Sequence, residues 1–239
     1  MKIGIIGYGK MGKAIAELAE SQGIEIAWRI RRDDVPSLTP TLLRQADVAI
    51  EFTRPEAAFD NVMLCLQAGL PVVSGTTGWL DRLPEAKKFC LETGGAMLWA
   101  SNFSVGVNLF FALNRRLAQL MSARPEYAAA LTETHHIHKL DAPSGTALTL
   151  ANEIMGNAER YTGWSLVPNP PASGQLPITA IREGEVPGTH LVQWQSAVDE
   201  ISIQHRAHSR AGFAGGALLA AQWIVGKRGV FEMADVLGL

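Results

Sequence analysis

The sequence predicts an α/β protein with a doubly wound parallel sheet, followed by a second α+β domain with a mixed sheet. Over residues 1–103, short apolar strand patterns alternate with helical patterns, which is typical of a parallel sheet with helices on both faces. A glycine-rich loop joins the first strand pattern to the first helix pattern. After residue 103 the rhythm changes, and three strand patterns follow one another without a helix between them.

The elements of the first part are predicted from the spacing of the apolar residues. A short apolar run bounded by glycine or proline indicates a buried strand, and apolar residues three and four apart indicate a helix. Strands are predicted at Lys2–Ile6, Ile24–Ile30, Val48–Phe52, Pro71–Ser74 and Met97–Ala100. Helices are predicted at Lys13–Ser21, Pro55–Ala68 and Leu83–Thr93.

Longer helices and paired strands are predicted in the second part. Helix patterns cover Val107–Met121, Ser144–Met155 (with Ser144 as N-cap) and Gly212–Val225. Strand patterns cover Ala128–His135, Ile178–Ile181, Thr189–Ser196 and Glu200–Ala207. Residues 163–176 are rich in Pro, Gly, Ser and Asn and predict an exposed loop, and Val230–Leu237 predicts a last short element.

Composition excludes several classes of function. The 239 residues are 47% hydrophobic and 18% charged, as in compact globular proteins. A net charge of −2 provides no field that would attract nucleic acid or a membrane surface. No stretch has transmembrane length, the first apolar run is too short for a signal peptide, and Cys65 and Cys90 lack metal or redox spacing. We expect a cytoplasmic protein with reduced thiols.

The glycine loop indicates a dinucleotide site of the Rossmann type. Gly7, Gly9 and Gly12 form G-x-G-x-x-G between a strand and a helix, where glycines let the backbone approach a pyrophosphate at the helix N-terminus. The cofactor contacts expected here are Gly7, Tyr8, Gly9, Lys10 and Met11. The alternative interpretation is a tight turn without a ligand.

Arginines at the end of the second predicted strand select the cofactor. Arg31 and Arg32 stand where an acidic residue would hydrogen-bond the ribose of NAD(H), and guanidinium groups bind a 2′-phosphate bidentately. We therefore expect NADPH to be preferred, with NADH possible. The alternative is a solvated basic strand end.

Two more loops follow predicted strands at the edge where such sheets present ligands. Their backbone groups could lie near a nicotinamide and its ribose, although each loop alone could be an ordinary turn. The residues concerned are Gly75, Thr76 and Thr77, and Ala100, Ser101, Asn102 and Phe103.

The segment from Glu133 to Thr146 combines proton donors with an anion cradle. His135, His136, His138 and Lys139 can carry protons or positive charge, and the turn Ser144–Thr146 offers hydroxyl and backbone N–H donors. This combination favours proton chemistry on a small acid. A zinc site on His136 and His138 is a weaker alternative, because Lys139 repels a cation, and we expect no metal. A structural histidine network is the other alternative.

These motifs together resemble one family, 4-hydroxy-tetrahydrodipicolinate reductase, also called dihydrodipicolinate reductase. The resemblance covers the whole chain and is most specific at His135–Thr146. The other matching segments are Gly7–Gly12, Phe52–Glu56, Gly75–Gly78 and Asn102–Asn108.

The resemblance implies hydride transfer from NAD(P)H to a cyclic dicarboxylate in diaminopimelate and lysine biosynthesis. It implies a dinucleotide-binding domain of residues 1–103 with 212–239, and a substrate domain of residues 104–211 whose sheet builds a homotetramer. His135 would be the acid/base residue and Lys139 the proton donor. His136, Ser144, Gly145 and Thr146, with Arg210, would bind the substrate carboxylates.

Two rival functions fit part of the sequence. Another nicotinamide-dependent dehydrogenase would share the glycine loop but not the His135–Thr146 segment. A nucleotide-binding sensor that has lost catalysis would have no need of both His135 and Lys139. Consumption of NADPH, as opposed to binding alone, separates these functions.

Overall fold

The structure is a computed structural model that describes residues 1–31, 38–167, 172–209 and 211–239. The chain divides into two compact units, one of residues 1–105 with 211–239 and the other of residues 106–210. One unit contains a parallel sheet and the other a mixed sheet, so the predicted fold class is confirmed.

The described residues form these strands and helices. Strands β1 to β11 are Lys2–Ile6, Glu25–Ile30, Val48–Glu51, Val72–Ser74, Ala96–Trp99, Ala128–His135, Gly163–Leu166, Gln175–Arg182, Thr189–Gln195, Glu200–Arg206 and Gly229–Phe231. Helices α1 to α8 are Lys10–Ser21, Pro40–Leu43, Pro55–Gln67, Leu83–Glu92, Val105–Ser122, Gly145–Asn157, Ala211–Ile224 and Met233–Leu237, and a 3-10 turn spans Leu80–Arg82.

The sheet of the first unit is parallel, with strand order β11-β5-β4-β3-β1-β2. Helices cover both faces of this sheet. Successive residues of a strand point to opposite faces, so neighbours pack against different helices. Ile5 packs with residues of α1 and α7, while its neighbour Ile6 packs with residues of α3 and α4. The strand order reverses between β1 and β3, and ligands bind at such a point in open α/β sheets.

The second unit has a mixed sheet with strand order β10-β9-β6-β8-β7. Strand β6 is parallel to β8 and antiparallel to β9, which agrees with the predicted mixed sheet. Helices α5 and α6 pack on one face, where Phe110 and Leu150 join Leu131 and Trp194 in the core. Glu133 and His135 share the inward phase of Leu131, because side chains alternate along a strand.

Several element predictions were wrong at the ends or in type. The loop predicted at residues 163–176 includes β7 and the start of β8, which form a parallel pair. Helix α1 begins at Lys10, because the chain turns into the helix directly after Gly9. The last predicted element divides into β11, which pairs with β5, and α8. Helix α2 was not predicted.

No helix among the residues described is long and apolar enough to cross a membrane.

Candidate active site

The three glycines of the first loop differ in how closely other atoms surround them. Gly7 has a φ of +98°, and a Cβ there would lie 1.9 Å from the carbonyl oxygen of Phe52. A Cβ on Gly12 would lie 2.1 Å from the carbonyl oxygen of Gly7. Gly9 has no atom within 4 Å of a Cβ position. Packing of the chain therefore requires Gly7 and Gly12, whereas Gly9 leaves open space for a ligand.

Two neighbouring clefts lie beside this loop, at the point where the strand order reverses. Their volumes are about 600 Å³ and about 360 Å³, within or near the range of small-molecule sites. The larger is lined by Gly7, Tyr8, Gly9, Arg31, Thr53, Arg54 and others. The smaller is lined by Gly9, Lys10, Met11, Phe52, Thr53, Pro55, Gly75, Thr76 and Thr77. The first and fourth strand loops are thus brought together.

Two arginine side chains lie over Tyr8 at the end of β2. The guanidinium carbons of Arg29 and Arg31 are each 5.9 Å from the centre of the Tyr8 ring, within cation–π range. Arg29 is paired with the carboxylate of Glu20. Arg31 lines the larger cleft. Arg32 lies outside the described residues.

A buried carboxylate joins the loops that line the two clefts. Glu51 is fully buried at the end of β3 and accepts hydrogen bonds from the Thr53 backbone N–H at 3.0 Å, the Ser74 hydroxyl at 2.6 Å and the Thr76 hydroxyl at 2.8 Å. It therefore ties together the loops after β3 and β4. Sequence reasoning missed Glu51, although an acid ending an apolar strand pattern is a detectable signal.

The predicted cofactor residues after β5 line neither cleft. Ala100 donates its backbone N–H to the Ser74 carbonyl at 3.2 Å. Phe103 is buried in the core, with its ring centre 5.6 Å from that of Phe52. Ser101 is exposed and Asn102 half-buried. Their contact with a cofactor stays a prediction.

In the second unit, two histidines meet at one buried carboxylate. Nδ1 of His135 lies 2.7 Å from Oε2 of Glu133, and Nε2 of His190 lies 3.9 Å from the same oxygen. The two imidazole rings pack edge to face with centres 5.1 Å apart. Burial, together with the nearby charge of His135, lowers the pKa of His190 to about 4. His190 therefore stays neutral at neutral pH.

The other oxygen of Glu133 holds two further donors. Oε1 accepts from Nη2 of Arg182 at 2.9 Å and from the backbone N–H of Ser144 at 3.1 Å. Burial opposes ionisation of Glu133, but the close approach of His135 and the hydrogen bonds from Ser144 and Arg182 outweigh it and lower the pKa to about 2. The carboxylate is therefore ionised at any ordinary pH.

Arg182 also holds the loop that carries Lys139. Its guanidinium donates to the carbonyl oxygens of Asp141 at 2.7 Å and Lys139 at 3.3 Å. Nζ of Lys139 lies 2.8 Å from both carboxylate oxygens of Asp141. This ammonium group lowers the pKa of Asp141. The ion pair thus places the lysine side chain beside Asp141 in the loop.

Helix α6 begins where a carboxylate cradle was predicted. Ser144 is its N-cap, as predicted, and its hydroxyl accepts from the Ala147 N–H at 3.2 Å and lies 3.1 Å from Nε2 of His190. Gly145 and Thr146 form the first turn, where N–H groups and the helix dipole favour an anion. His136 is half-buried directly after β6. Arg210 lies outside the described residues.

The arrangement of possible metal ligands differs from the predicted alternative. His138 is exposed and lies 3.1 Å from Glu185. The candidate cluster is instead Glu133, His135 and His190, whose ligand atoms lie within 4.8 Å of one another. Sequence reasoning missed both the contact of His190 with this group and the role of Glu133.

The two sets of residues can do complementary chemistry. In the first unit, the open Cβ position at Gly9 and the basic side chain of Arg31 fit a dinucleotide with its phosphates. In the second unit, His135 and Lys139 can carry protons near a helix N-terminus that favours carboxylates.

Comparison with known proteins identifies the family. Residues 1–103 match the family profile described as dihydrodipicolinate reductase, N-terminus, and residues 106–237 match dihydrodipicolinate reductase, C-terminus. The 4-hydroxy-tetrahydrodipicolinate reductase of Christiangramia forsetii is 44% identical over 237 residues, covering 99% of this chain and 98% of that protein. The enzyme of the same name from Methanopyrus kandleri is 39% identical over 220 residues, covering 90% and 77%.

A solved structure supports the fold. The dipicolinate-bound dihydrodipicolinate reductase from Paenisporosarcina sp. TG-14 has a TM-score of 0.75, with 98% of each chain covered and 22% sequence identity. At this identity the likeness establishes the fold alone, and the sequence matches carry the family assignment. From those matches, the chain belongs to the dihydrodipicolinate reductase family.

Proposed function

We propose that this chain reduces 4-hydroxy-tetrahydrodipicolinate to tetrahydrodipicolinate, a step in diaminopimelate and lysine biosynthesis. The reaction consumes one reduced nicotinamide nucleotide and one proton, replaces the hydroxyl group by hydrogen overall, and releases water. The observation that carries the proposal is the grouping of His135, Lys139 and the N-terminus of α6 around Glu133 and Arg182. The near full-length match to reductases of this name supports it.

The residues of the second unit are assigned by their chemistry. Backbone donors of Gly145 and Thr146 bind a substrate carboxylate, aided by Ser144 and His136. Arg210, outside the described residues, is proposed to bind the other carboxylate. Lys139 donates a proton, and His135 acts as acid/base during loss of the hydroxyl group. Residues 104–211 are thereby proposed as the substrate-binding and oligomerisation domain.

The first unit is proposed to bind the nucleotide. When bound, the reduced nicotinamide supplies the hydride. Gly7 to Met11 and Gly75 to Thr77 contact its phosphates and ribose, because they line the two clefts. Ala100 to Phe103 contact the nicotinamide end. Residues 1–103 with 212–239 make up this dinucleotide-binding domain.

NADPH is proposed as the preferred cofactor, with NADH used less well. Arg31 lines the larger cleft and Arg32 follows it, so two guanidinium groups are available for a 2′-phosphate. Arg29 contributes less, since Glu20 already pairs with it.

We further propose that the chain acts as a cytoplasmic homotetramer. The face of the mixed sheet opposite to α5 and α6 carries small, hydroxyl-bearing and apolar side chains that are half-buried, including Thr132, Thr179 and Leu191. Such a face can pack against a second sheet.

The test measures oxidation of NADPH by its absorbance. The substrate is formed in the same mixture from aspartate semialdehyde and pyruvate by the synthase that catalyses the preceding step. Turnover with NADPH well above that with NADH supports both the proposed reaction and the binding of a 2′-phosphate by Arg31 and Arg32. Equal turnover keeps the reductase and removes the preference. Binding of NADPH without turnover, while a known reductase works in the same mixture, overturns the proposed function and favours the sensor.

A further inference from the structure

Glu133 lies where three parts of the proposed substrate site meet. It contacts His135 on its own strand, the first residues of α6 through the Ser144 N–H, and the Lys139 loop through Arg182. Its side chain is fully buried. A buried carboxylate is costly unless donors surround it, so these contacts stabilise one arrangement of the three parts.

The charge of Glu133 determines which nitrogen of His135 carries the proton. An ionised carboxylate only accepts hydrogen bonds, so the nitrogen facing it, Nδ1 at 2.7 Å, must be protonated. The ring N–H is not in line with Oε2, and catalytic hydrogen bonds often align only when substrate binds. With Nδ1 protonated, Nε2 of neutral His135 is the basic nitrogen.

Gly188 lies next to Nε2 of His135. A Cβ on Gly188 would lie 3.1 Å from Nε2 of His135, closer than almost all real contacts of that kind. Any other residue at this place would therefore crowd the nitrogen. The histidine side chain is 11% exposed, so a small part of it is accessible.

We infer that Glu133 is a positioning residue, which fixes the proton of His135 on Nδ1 so that Nε2 exchanges protons with the substrate. The inference rests on the proposed function and deepens it, because it states which nitrogen of His135 reacts and what holds it. Glu133 also positions the Lys139 loop, through the guanidinium of Arg182, without touching substrate itself.

The E133Q variant should reverse which nitrogen of His135 carries the proton. The amide oxygen keeps its two donors, Arg182 and the Ser144 N–H, so the amide NH₂ group takes the place of Oε2 and faces Nδ1 of His135. Nδ1 must then accept, and the proton moves to Nε2. The variant therefore inverts the tautomer with almost no change of shape.

The first measurement is ¹⁵N NMR of the full-length wild-type protein labelled at its six histidines, with H135Q identifying the signal. We expect neutral His135 to be protonated on Nδ1 in the wild type and on Nε2 in E133Q. A wild-type His135 protonated on Nε2 overturns the inference, even if E133Q fails to fold and even if the protein is not a reductase.

The second measurement is steady-state kinetics of E133Q beside the matched control E153Q. Glu153 is also a largely buried acid paired with an arginine, Arg115 at 2.8 Å, in the same unit. We expect kcat to fall about 10²–10⁴-fold in E133Q, with KM for NADPH unchanged. We expect E153Q to keep the wild-type kcat. A folded E133Q with wild-type kcat overturns the inference while the reductase assignment stands; an inactive wild type overturns the proposed function instead.

Discussion

Two buried glutamates, Glu51 and Glu133, lie in strands β3 and β6. Each is surrounded by donors from neighbouring loops, which offsets the cost of burying a carboxylate. In both cases the donors belong to segments that line a proposed ligand site. Replacing either glutamate should therefore affect function as well as folding.

Replacing Glu51 by Gln should weaken cofactor binding. The amide cannot accept from the Thr53 N–H and the hydroxyls of Ser74 and Thr76 as a carboxylate does, so the loops after β3 and β4 lose their common acceptor. We expect a loss of about 1–3 kcal/mol in unfolding free energy and a roughly tenfold higher Kd for NADPH. Chemical denaturation and fluorescence titration measure both. The exposed neighbour Glu56, changed to Gln, should alter neither quantity measurably.

Replacing Lys139 by Ala should lower turnover with little effect on the nucleotide. The ammonium group is the proposed proton donor, and such groups contribute about 10²–10⁴-fold to a rate. We expect kcat to fall within that range while the Kd for NADPH is unchanged, as measured by kinetics and titration. The exposed Lys88, changed to Ala, is the control. Normal turnover of the K139A variant would contradict the assignment.

Residue roles could be predicted only where residue types cluster along the chain. His135 to Thr146 stands out because its residues are adjacent in sequence. Glu133 belongs to the same region, but its partners Arg182 and His190 come from β8 and β9, and only folding brings them together. The one local signal was an acid in phase with Leu131 on an inward-facing strand.

At the scale of elements, two glycines of the loop have different roles: Gly12 is needed for packing, and Gly9 is proposed to make room for the ligand. G12A should destabilise the protein, because the new methyl group would lie 2.1 Å from the Gly7 carbonyl oxygen. G9A has no atom within 4 Å of its methyl group and should fold, but the methyl group would occupy space at the cleft. We expect a loss of about 1–3 kcal/mol for G12A and less than about 1 kcal/mol for G9A.

Although G9A should leave the protein stable, it should weaken the binding of NADPH. We expect its Kd for NADPH to rise at least about tenfold, or 1.4 kcal/mol, by fluorescence titration. A stable G9A variant with wild-type affinity would show that the backbone at Gly9 does not approach the nucleotide.

Elements with strong periodicity were predicted well, and elements formed by pairing were not. The first strand and β6 match their predicted bounds, because their apolar pattern is self-sufficient. Strand β7 was missed because its four residues sit in a segment of turn-forming composition and are defined by pairing with β8. Helix α2 carries a Thr39 cap and Pro40 at its start, but it is too short to show a period.

At the scale of the whole molecule, His190 should make stability depend on pH. Its pKa is about 6.5 in the unfolded chain and about 4 in the folded protein, so between these values the unfolded state binds the extra proton. Unfolding free energy therefore falls as pH decreases through this window, by up to about 1.4 kcal/mol per pH unit from this group. This contribution is absent above the unfolded value.

Denaturation curves between pH 4 and 7, roughly the window set by these pKa values, test this dependence. H190Q should show a shallower loss of stability towards acid than the wild type. H208Q, which changes an exposed histidine, should follow the wild-type curve. Parallel curves for wild type and H190Q would mean that other groups cause the acid sensitivity.

The proposed tetramer gives a further prediction. Thr132 lies in the central strand of the mixed sheet, on the face opposite to the helices, and pairs laterally with Thr179 and Leu191. A T132R substitution would place a charge in the proposed interface, so sedimentation should shift from tetramer to smaller species with unchanged circular dichroism. S122R, at the exposed end of α5, is the control. A monomeric wild type would overturn the tetramer.

The parallel sheet is assembled from two distant stretches of the chain, because β11 adds to β5 after the whole second unit has intervened. During synthesis on the ribosome, β5 emerges long before its neighbour and exposes an unpaired edge, the kind of surface that promotes aggregation. The second unit, which has its own sheet and core, is synthesised in this interval. Translation order thus leaves the parallel sheet incomplete until β11 has been synthesised.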